Sequence, residues 1–255
     1  MPLYITSLNS GSNANCYYVG NAQEAVLIDA GLSCRQTEQR LKRLGLSLQT
    51  VKGVFISHEH SDHISGLEQL AWKHQLPVYI TPGTLKHSRL PQQSFPIHHW
   101  PADNTIYIGD LTITAFPKEH DAADPHSFLV RDQTTCVGIF TDIGVACEQV
   151  IHHFSQCHAA FLEANYDEDL LENGRYPYFL KQRIRGGRGH LSNQQALALF
   201  RAHKPPFMSH VVMSHLSQSN NSPQLVAELF APHLAGTELI IAPRFAETAV
   251  QVVGG

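Results

Sequence analysis

The sequence is poor in charge, in paired cysteines and in long apolar stretches. Lys, Arg, Asp and Glu make up 16% of the residues against 43% hydrophobic, which excludes a disordered, solvated chain. Net charge is −4 with histidine neutral. No global positive field therefore gathers nucleic acid, and any such contact needs a local patch. The five cysteines (Cys16, Cys34, Cys136, Cys147 and Cys157) are odd in number and form no CxxC. They read as reduced thiols used as small apolar side chains. No run approaches roughly 18 apolar residues, so no membrane span or membrane partner is expected. The opening Met-Pro-Leu-Tyr-Ile-Thr has no basic or apolar leader region, and the expectation is a soluble cytoplasmic protein. No fixed-period repeat or low-complexity linker occurs.

What is abundant is histidine. There are 17, nearly as many as the 18 lysines and arginines together, a compositional hint of metal chemistry.

Apolar periodicity predicts strands at Leu3–Leu8, Cys16–Val19, Ala25–Ile28 and Val51–Ser57, with a hairpin loop at 9–13. Further strands are expected at Pro77–Thr81, Leu111–Phe116, Phe128–Val130, Cys136–Phe140, Ala159–Leu162, Val211–Met213 and Glu238–Ile241. Helices are expected at 33–44, around Leu67 to Ala71, and at 145–154, 192–203 and 222–234. Pro91–Pro101 is the nearest thing to a boundary. The pattern implies a single domain, residues 1–255, of mixed sheet with outer helices.

The strand at Val51–Ser57 runs into His58-Glu59-His60-Ser61-Asp62-His63. In extended chain, residues two apart face the same way, so His58 and His60 can converge on one point. If a helix begins near His63, Asp62 and His63 can face a second point beside it. Imidazole nitrogen and carboxylate oxygen suit zinc, manganese or iron(II). Two such ions about 3.5–4 Å apart would clamp an attacking and a leaving oxygen. These four side chains cannot fill two coordination spheres. His120, Asp142 and His215 each follow an apolar strand closely and are the candidates to complete the set.

This arrangement resembles the metallo-β-lactamase fold superfamily. His58-x-His60-x-Asp62-His63 matches its HxHxDH signature, and Asp29, His120, Asp142 and His215 match its other motifs in order. The resemblance implies a four-layer αββα sandwich of the α/β class with two divalent metal ions at one edge. It implies that His58, His60 and His120 hold one ion, that Asp62, His63 and His215 hold the other, and that Asp142 bridges them. Asp29 would be a buried supporting group. Asp62 would also orient or deprotonate a metal-bound hydroxide, the nucleophile. Asp142 stands where well-known β-lactamases carry Cys, and His60 stands where the diiron oxidoreductases carry Glu. Both departures favour a binuclear hydrolase.

Two features lean towards phosphate. Lys181, Arg183, Arg185 and Arg188 lie close together in an otherwise acidic chain, with Gly186, Gly187 and Gly189 among them. Arginine forks suit phosphate oxygens, and the alternative is a solvated loop neutralised by Glu163 to Glu172. Ser192 reads as the N-cap of the following helix, which places His190 at an anion-favouring helix start, able to protonate a leaving oxygen. Ser192 and the three arginines are the candidate substrate-binding residues.

Within the superfamily the chain resembles the small bacterial YycJ/WalJ-type group. The likeness is carried by Leu8-Asn9-Ser10-Gly11-Ser12-Asn13, Ile28-Asp29-Ala30-Gly31, Asn173-Gly174-Arg175-Tyr176-Pro177 and His215-Leu216-Ser217. The opening departs from that pattern in having Ala14 before Asn15. The resemblance implies a nuclease with nucleic acid, and DNA in particular, as substrate, cut from 5′ ends. The alternatives are a hydrolase of a small phosphodiester or thioester, and a non-catalytic metal-binding scaffold. The scaffold would show eroded ligands, and none is eroded here.

Overall fold

A computed structural model describes residues 1–91, 95–100 and 104–254. The chain opens with an antiparallel meander of β1 (Leu3–Asn9), β2 (Cys16–Gly20) and β3 (Ala25–Ile28). It continues through α1 (Cys34–Arg43), β4 (Val51–Phe55), α2 (Ser61–Ile64), α3 (Leu67–His74), β5 (Val78–Tyr79), α4 (Pro82–Ser88) and β6 (Ile97–His98). From β3 onwards these strands pair in parallel, because helices carry the chain back between them. Of the candidate boundary at Pro91–Pro101, residues 92–94 and 101 lie outside the described residues, and Ile97–His98 is strand β6.

The second half repeats the plan. A meander of β7 (Thr105–Ile108), β8 (Leu111–Pro117), β9 (His126–Arg131) and β10 (Cys136–Phe140) comes first. Then follow α5 (Glu148–Phe154), β11 (Ala159–Glu163), α6 (Glu168–Asn173), α7 (Tyr178–Arg185), α8 (Asn193–His203), β12 (His210–Ser214), α9 (Pro223–Phe230) and β13 (Glu238–Ile241). β10 to β13 pair in parallel. A last strand, β14 (Gln251–Val253), returns to β1. Among the described residues the strands make two seven-stranded sheets, ordered β14-β1-β2-β3-β4-β5-β6 and β13-β12-β11-β10-β9-β8-β7.

The sheets pack face to face. Val26, Ile28 and Phe55 from one meet Ile113, Phe128, Val137 and Phe161 from the other. The alternate residues Leu27, Val54 and Ile56 pack outwards on Leu41, Leu67 and Leu70. On the far side, Phe140, Leu162 and Met213 pack on Val150, Phe154, Phe200 and Phe230. This is the four-layer αββα sandwich that the sequence implied. Because both faces of the inner strands are buried, those strands read as continuous apolar runs rather than alternating ones.

Two segments differ from expectation. The stretch around Lys181 to Arg188 is mostly helix, α7, and not loop. The helix expected over 222–234 ends at Phe230 and tightens to a 3₁₀ turn at Ala231–His233. Pro232 cannot continue an α-helix, since it lacks an N–H and its ring crowds the carbonyl four residues back. No helix among the described residues is long and apolar enough to cross a membrane.

The turn after β3 is zipped to α2, and this closeness fixes the site. Ala30 N donates to His63 O at 2.8 Å, Gly66 N to Ala30 O at 2.9 Å, and Asn15 N to Asp62 O at 2.7 Å. A Cβ on Gly66 would lie 1.6 Å from Leu32 O, and one on Gly31 would lie 1.8 Å from Asp62 O. Both contacts are with backbone, which cannot swing away. Gly66→Ala is therefore expected to lower stability by on the order of 3 kcal/mol, read from the urea midpoint. Gly187→Ala, with nothing within 4 Å of the new carbon, is the control and should leave the midpoint in place.

Candidate metal centre

Three strands that end at one edge of the sandwich are followed closely by a non-glycine residue with positive φ. These are Asp29 (61°) after β3, Asp142 (55°) after β10 and His215 (57°) after β12. Left-handed backbone reverses the chain sharply and is held at non-glycine residues only where the surroundings enforce it. Here it turns all three side chains back towards the segment that follows β4.

That segment supplies His58, His60, Asp62 and His63. The ligating atoms of His58, His60 and His120 lie within 4.8 Å of one another, and so do those of Asp62, His63 and His215. Asp142 belongs to a third such group with His58 and His63, so it stands between the first two. Its Oδ2 is 3.2 Å from His63 Nε2, and its Oδ1 is 3.9 Å from His120 Nε2. Asp62 Oδ2 lies 3.5 Å from His63 Nε2 and 3.6 Å from His215 Nε2.

The outer nitrogens fix which way the inner ones face. His63 Nδ1 donates to Asp29 Oδ2 at 2.7 Å, and Asp29 is held in turn by Ser57 N and Oγ, both at 2.8 Å. His58 Nδ1 meets Ser57 Oγ at 2.9 Å, and His120 Nδ1 donates to Gly189 O at 3.0 Å. His215 Nδ1 donates to Glu163 Oε1 at 3.0 Å. Each ring therefore turns Nε2 inwards, the nitrogen on which a metal ion would take the place of a proton.

The result is a buried set of acceptors facing one another. His120 Nε2, Asp142 Oδ2 and His215 Nε2 are buried and have no hydrogen-bond partner among the described residues. Buried polar atoms are rarely left so, and converging lone pairs of imidazole and carboxylate are the donor set that a divalent cation takes. The residues present thus fit the divalent metal ions that the fold implies. The charge balance points the same way. Burial pushes His215 down, yet Asp142, Asp62 and Glu163 outweigh it and raise the ring to about 10. Burial pushes Asp62 up, yet His63 and His215 hold it at about 2. The cluster draws positive charge.

Glu163 was not singled out as a site residue in the sequence, where it read as one of several acids neutralising the basic stretch. It is fully buried at the end of β11. It accepts from Ile143 N at 2.7 Å, Leu191 N at 3.2 Å, His190 Nδ1 at 2.8 Å and His215 Nδ1. Against burial, His190 and His215 hold its carboxyl at about 2. The signal was a lone acid between Ala159–Leu162 and Ala164, the setting that Asp29 has between Ala25–Ile28 and Ala30. Asn15 was also missed. Its Nδ2 lies 3.2 Å from Asp62 Oδ2 and its Oδ1 accepts from Gly11 N at 2.9 Å. Its neighbour Ser10 accepts from His215 N at 2.7 Å. The loop at 10–15 thus ties Asp62 to His215. Ala14 leaves that loop's turn intact, with Ala14 N on Gly11 O at 3.0 Å.

A cavity of about 240 Å³ opens over the cluster. His190, Tyr176, Leu180, Arg183 and Ile184 form one wall, and Ser12 and Ser217 lie among the other lining residues. Of the residues expected to bind substrate, Arg183 reaches the cavity, paired with Asp121. Arg185 and Arg188 do not line it. Two residues along a helix is a rotation of about 200°, which turns Arg185 to the far side of α7, where it pairs with Glu172 at 2.9 Å. Ser192 is fully buried and committed to structure. It caps α8 through a capping box with Gln195, and its hydroxyl donates to Glu168 Oε1 at 2.9 Å. Of the three glycines of the basic stretch, Gly189 packs against protein, since a Cβ on it would lie 2.1 Å from Ile184 O, whereas one on Gly187 would meet nothing within 4 Å.

Residues 24–216 match the family described as the beta-lactamase superfamily domain. The chain is 33% identical over 230 residues to the exodeoxyribonuclease YycJ of Bacillus anthracis, covering 88% of this chain and 86% of that one. It is 29% identical over 237 residues to the exodeoxyribonuclease WalJ of Streptococcus pneumoniae, covering 91% and 88%. Its fold superposes on the metallo-beta-lactamase fold protein YhfI of Bacillus subtilis with a TM-score of 0.76 at 15% identity, over 99% of this chain and 100% of that one.

Glu163 holds His215 as Asp29 holds His63. Glu163→Gln keeps the shape, removes the charge and places an amide where a carboxylate accepts two ring protons. Divalent-metal affinity is expected to fall roughly 10- to 100-fold, measured by competition against a chelating dye. Unchanged affinity would show that the carboxylate does not support the centre.

Proposed function

The chain belongs to the beta-lactamase superfamily and is a metallo-β-lactamase-fold hydrolase, and from that premise we propose that it is a binuclear metal-dependent phosphodiesterase that degrades DNA from 5′ ends. His58, His60 and His120 would hold one divalent ion, Asp62, His63 and His215 a second, with Asp142 shared between them. The ions, zinc or manganese by donor type, would supply Lewis acidity and a water made nucleophilic at neutral pH.

The observation that carries this reading is the company the cluster keeps. A guanidinium, Arg183, and a histidine anchored on a buried carboxylate, His190, open onto the same cavity as both ligand groups. Arg183 has the geometry to take a phosphate oxygen in place of Asp121, its partner in this structure. His190 keeps Nδ1 on Glu163, which leaves Nε2 as the nitrogen that exchanges a proton with the cavity. From there it would protonate the leaving sugar oxygen. Asp62 is the one carboxylate of the cluster with appreciable exposure, at 17%, and Asn15 steadies it. It would orient the attacking water and take its proton. The named activities of the relatives from Bacillus anthracis and Streptococcus pneumoniae support DNA as the substrate.

With Mn²⁺, duplex DNA labelled at its 5′ ends is expected to release labelled mononucleotide from the first turnovers, whereas a 3′ label should stay in long fragments. His60→Ala should lower the rate roughly a thousandfold, the scale of several kcal/mol of transition-state stabilisation. Absence of cleavage by the wild type, or equal cleavage by His60→Ala, would refute the proposal.

A further inference from the structure

Helix α7 is unusual for a helix on a folded protein in that none of its side chains is buried. Tyr178 and Phe179 are each 73% exposed. Large rings left in water contribute little to folding, and such exposure marks a contact surface. The segment from Asn173 to His190 carries Arg175, Lys181, Arg183, Arg185 and Arg188 and no Asp or Glu, in a chain of net charge −4.

Helix phase sorts these residues. Leu180 and Ile184, one turn apart, line the cavity. Phe179 and Arg183, also one turn apart, form the adjacent ridge, and Arg183 reaches the cavity. Tyr178 and Arg185, seven residues apart, share the opposite face, where Arg185 is engaged by Glu172. Tyr176, just ahead of the helix, lies in the cavity wall. Tyr176, Phe179 and Arg183 thus follow one another along the chain, the first and last lining the cavity and Phe179 on the ridge that Arg183 continues.

We infer that Tyr176 and Phe179 form a stacking platform for the bases of a single nucleic-acid strand whose phosphates pass Arg183 into the cavity. This rests on the nucleic-acid reading above and adds that the strand is recognised unpaired. Bases in a duplex are already stacked on one another, so exposed rings meet a free π-face only where the end of a strand is unpaired. A single strand offers both a free π-face and a negative backbone, the two things this surface complements. A strand is favoured over a protein partner because Arg183, on the same ridge as Phe179, reaches the cavity where the phosphate is proposed to lie.

The test uses the metal-loaded protein and end-labelled phosphorothioate strands of equal length and charge, one of thymidines and one of abasic units, with binding read by anisotropy. Wild type is expected to prefer the thymidine strand by roughly tenfold. Phe179→Ala should erase most of that preference, and Phe179→Trp should keep it. Because Phe179 is 73% exposed, its replacement is expected to leave the fold intact, which the circular dichroism of the variant checks. Equal binding of the two strands by wild type, or an undiminished preference in Phe179→Ala, overturns the stacking platform while the phosphate reading stands. Binding of neither strand overturns the nucleic-acid reading itself and the platform with it.

Discussion

A buried carboxylate holding the outer nitrogen of an inward-facing histidine is the interaction on which this centre rests. Asp29 does this for His63 and Glu163 does it for His215. Without those anchors the imidazoles could flip, and the inner nitrogens would not face one another. With them, several lone pairs are fixed within a few ångströms of one another, an arrangement that is costly unless a cation lies among them. Folding energy gained elsewhere in the sandwich sustains that local cost.

The sandwich supplies the anchors in matching places. Asp29 follows β3 and Glu163 ends β11, and each of those strands is paired in parallel with the strand whose C-terminal loop bears ligands, β4 and β12. Parallel pairing brings those ends to the same edge, so an acid at one end meets a histidine at the next. The left-handed residues at 29, 142 and 215 then turn the chain back sharply. The loop at 10–15 closes the gap between the two sets, through Asn15 on Asp62 and Ser10 on the backbone of His215. Arg244 secures that loop from outside, bonding Asn13 Oδ1 and Leu216 O.

Over this rigid floor lies a wall of different character. The segment with α6 and α7 contributes few side chains to the core and presents basic and aromatic groups to solvent. The candidate ligands are confined to loops held by sheets, and the proposed substrate contacts sit on a helix that packing leaves free.

The sequence by itself determined the layers and named the candidate ligands that the fold brings together. Continuous apolar runs such as Ala25–Ile28 and Cys136–Phe140 have one reading, a strand buried on both faces, and both are strands with those bounds. His58 to His63 announced itself by density, and His120, Asp142 and His215 by their place after strands. Only the tertiary structure decided which acids and arginines matter. Glu163 and Glu172 both read as acids neutralising the basic stretch, yet one is fully buried between two histidines and the other meets Arg185 at the surface. Arg183 and Arg185 look alike until helix phase sets them on opposite sides of α7. Burial and direction arise from what packs against a residue, and those neighbours lie far away in sequence: Glu163 to His215 spans 52 positions and Asp29 to His63 spans 34.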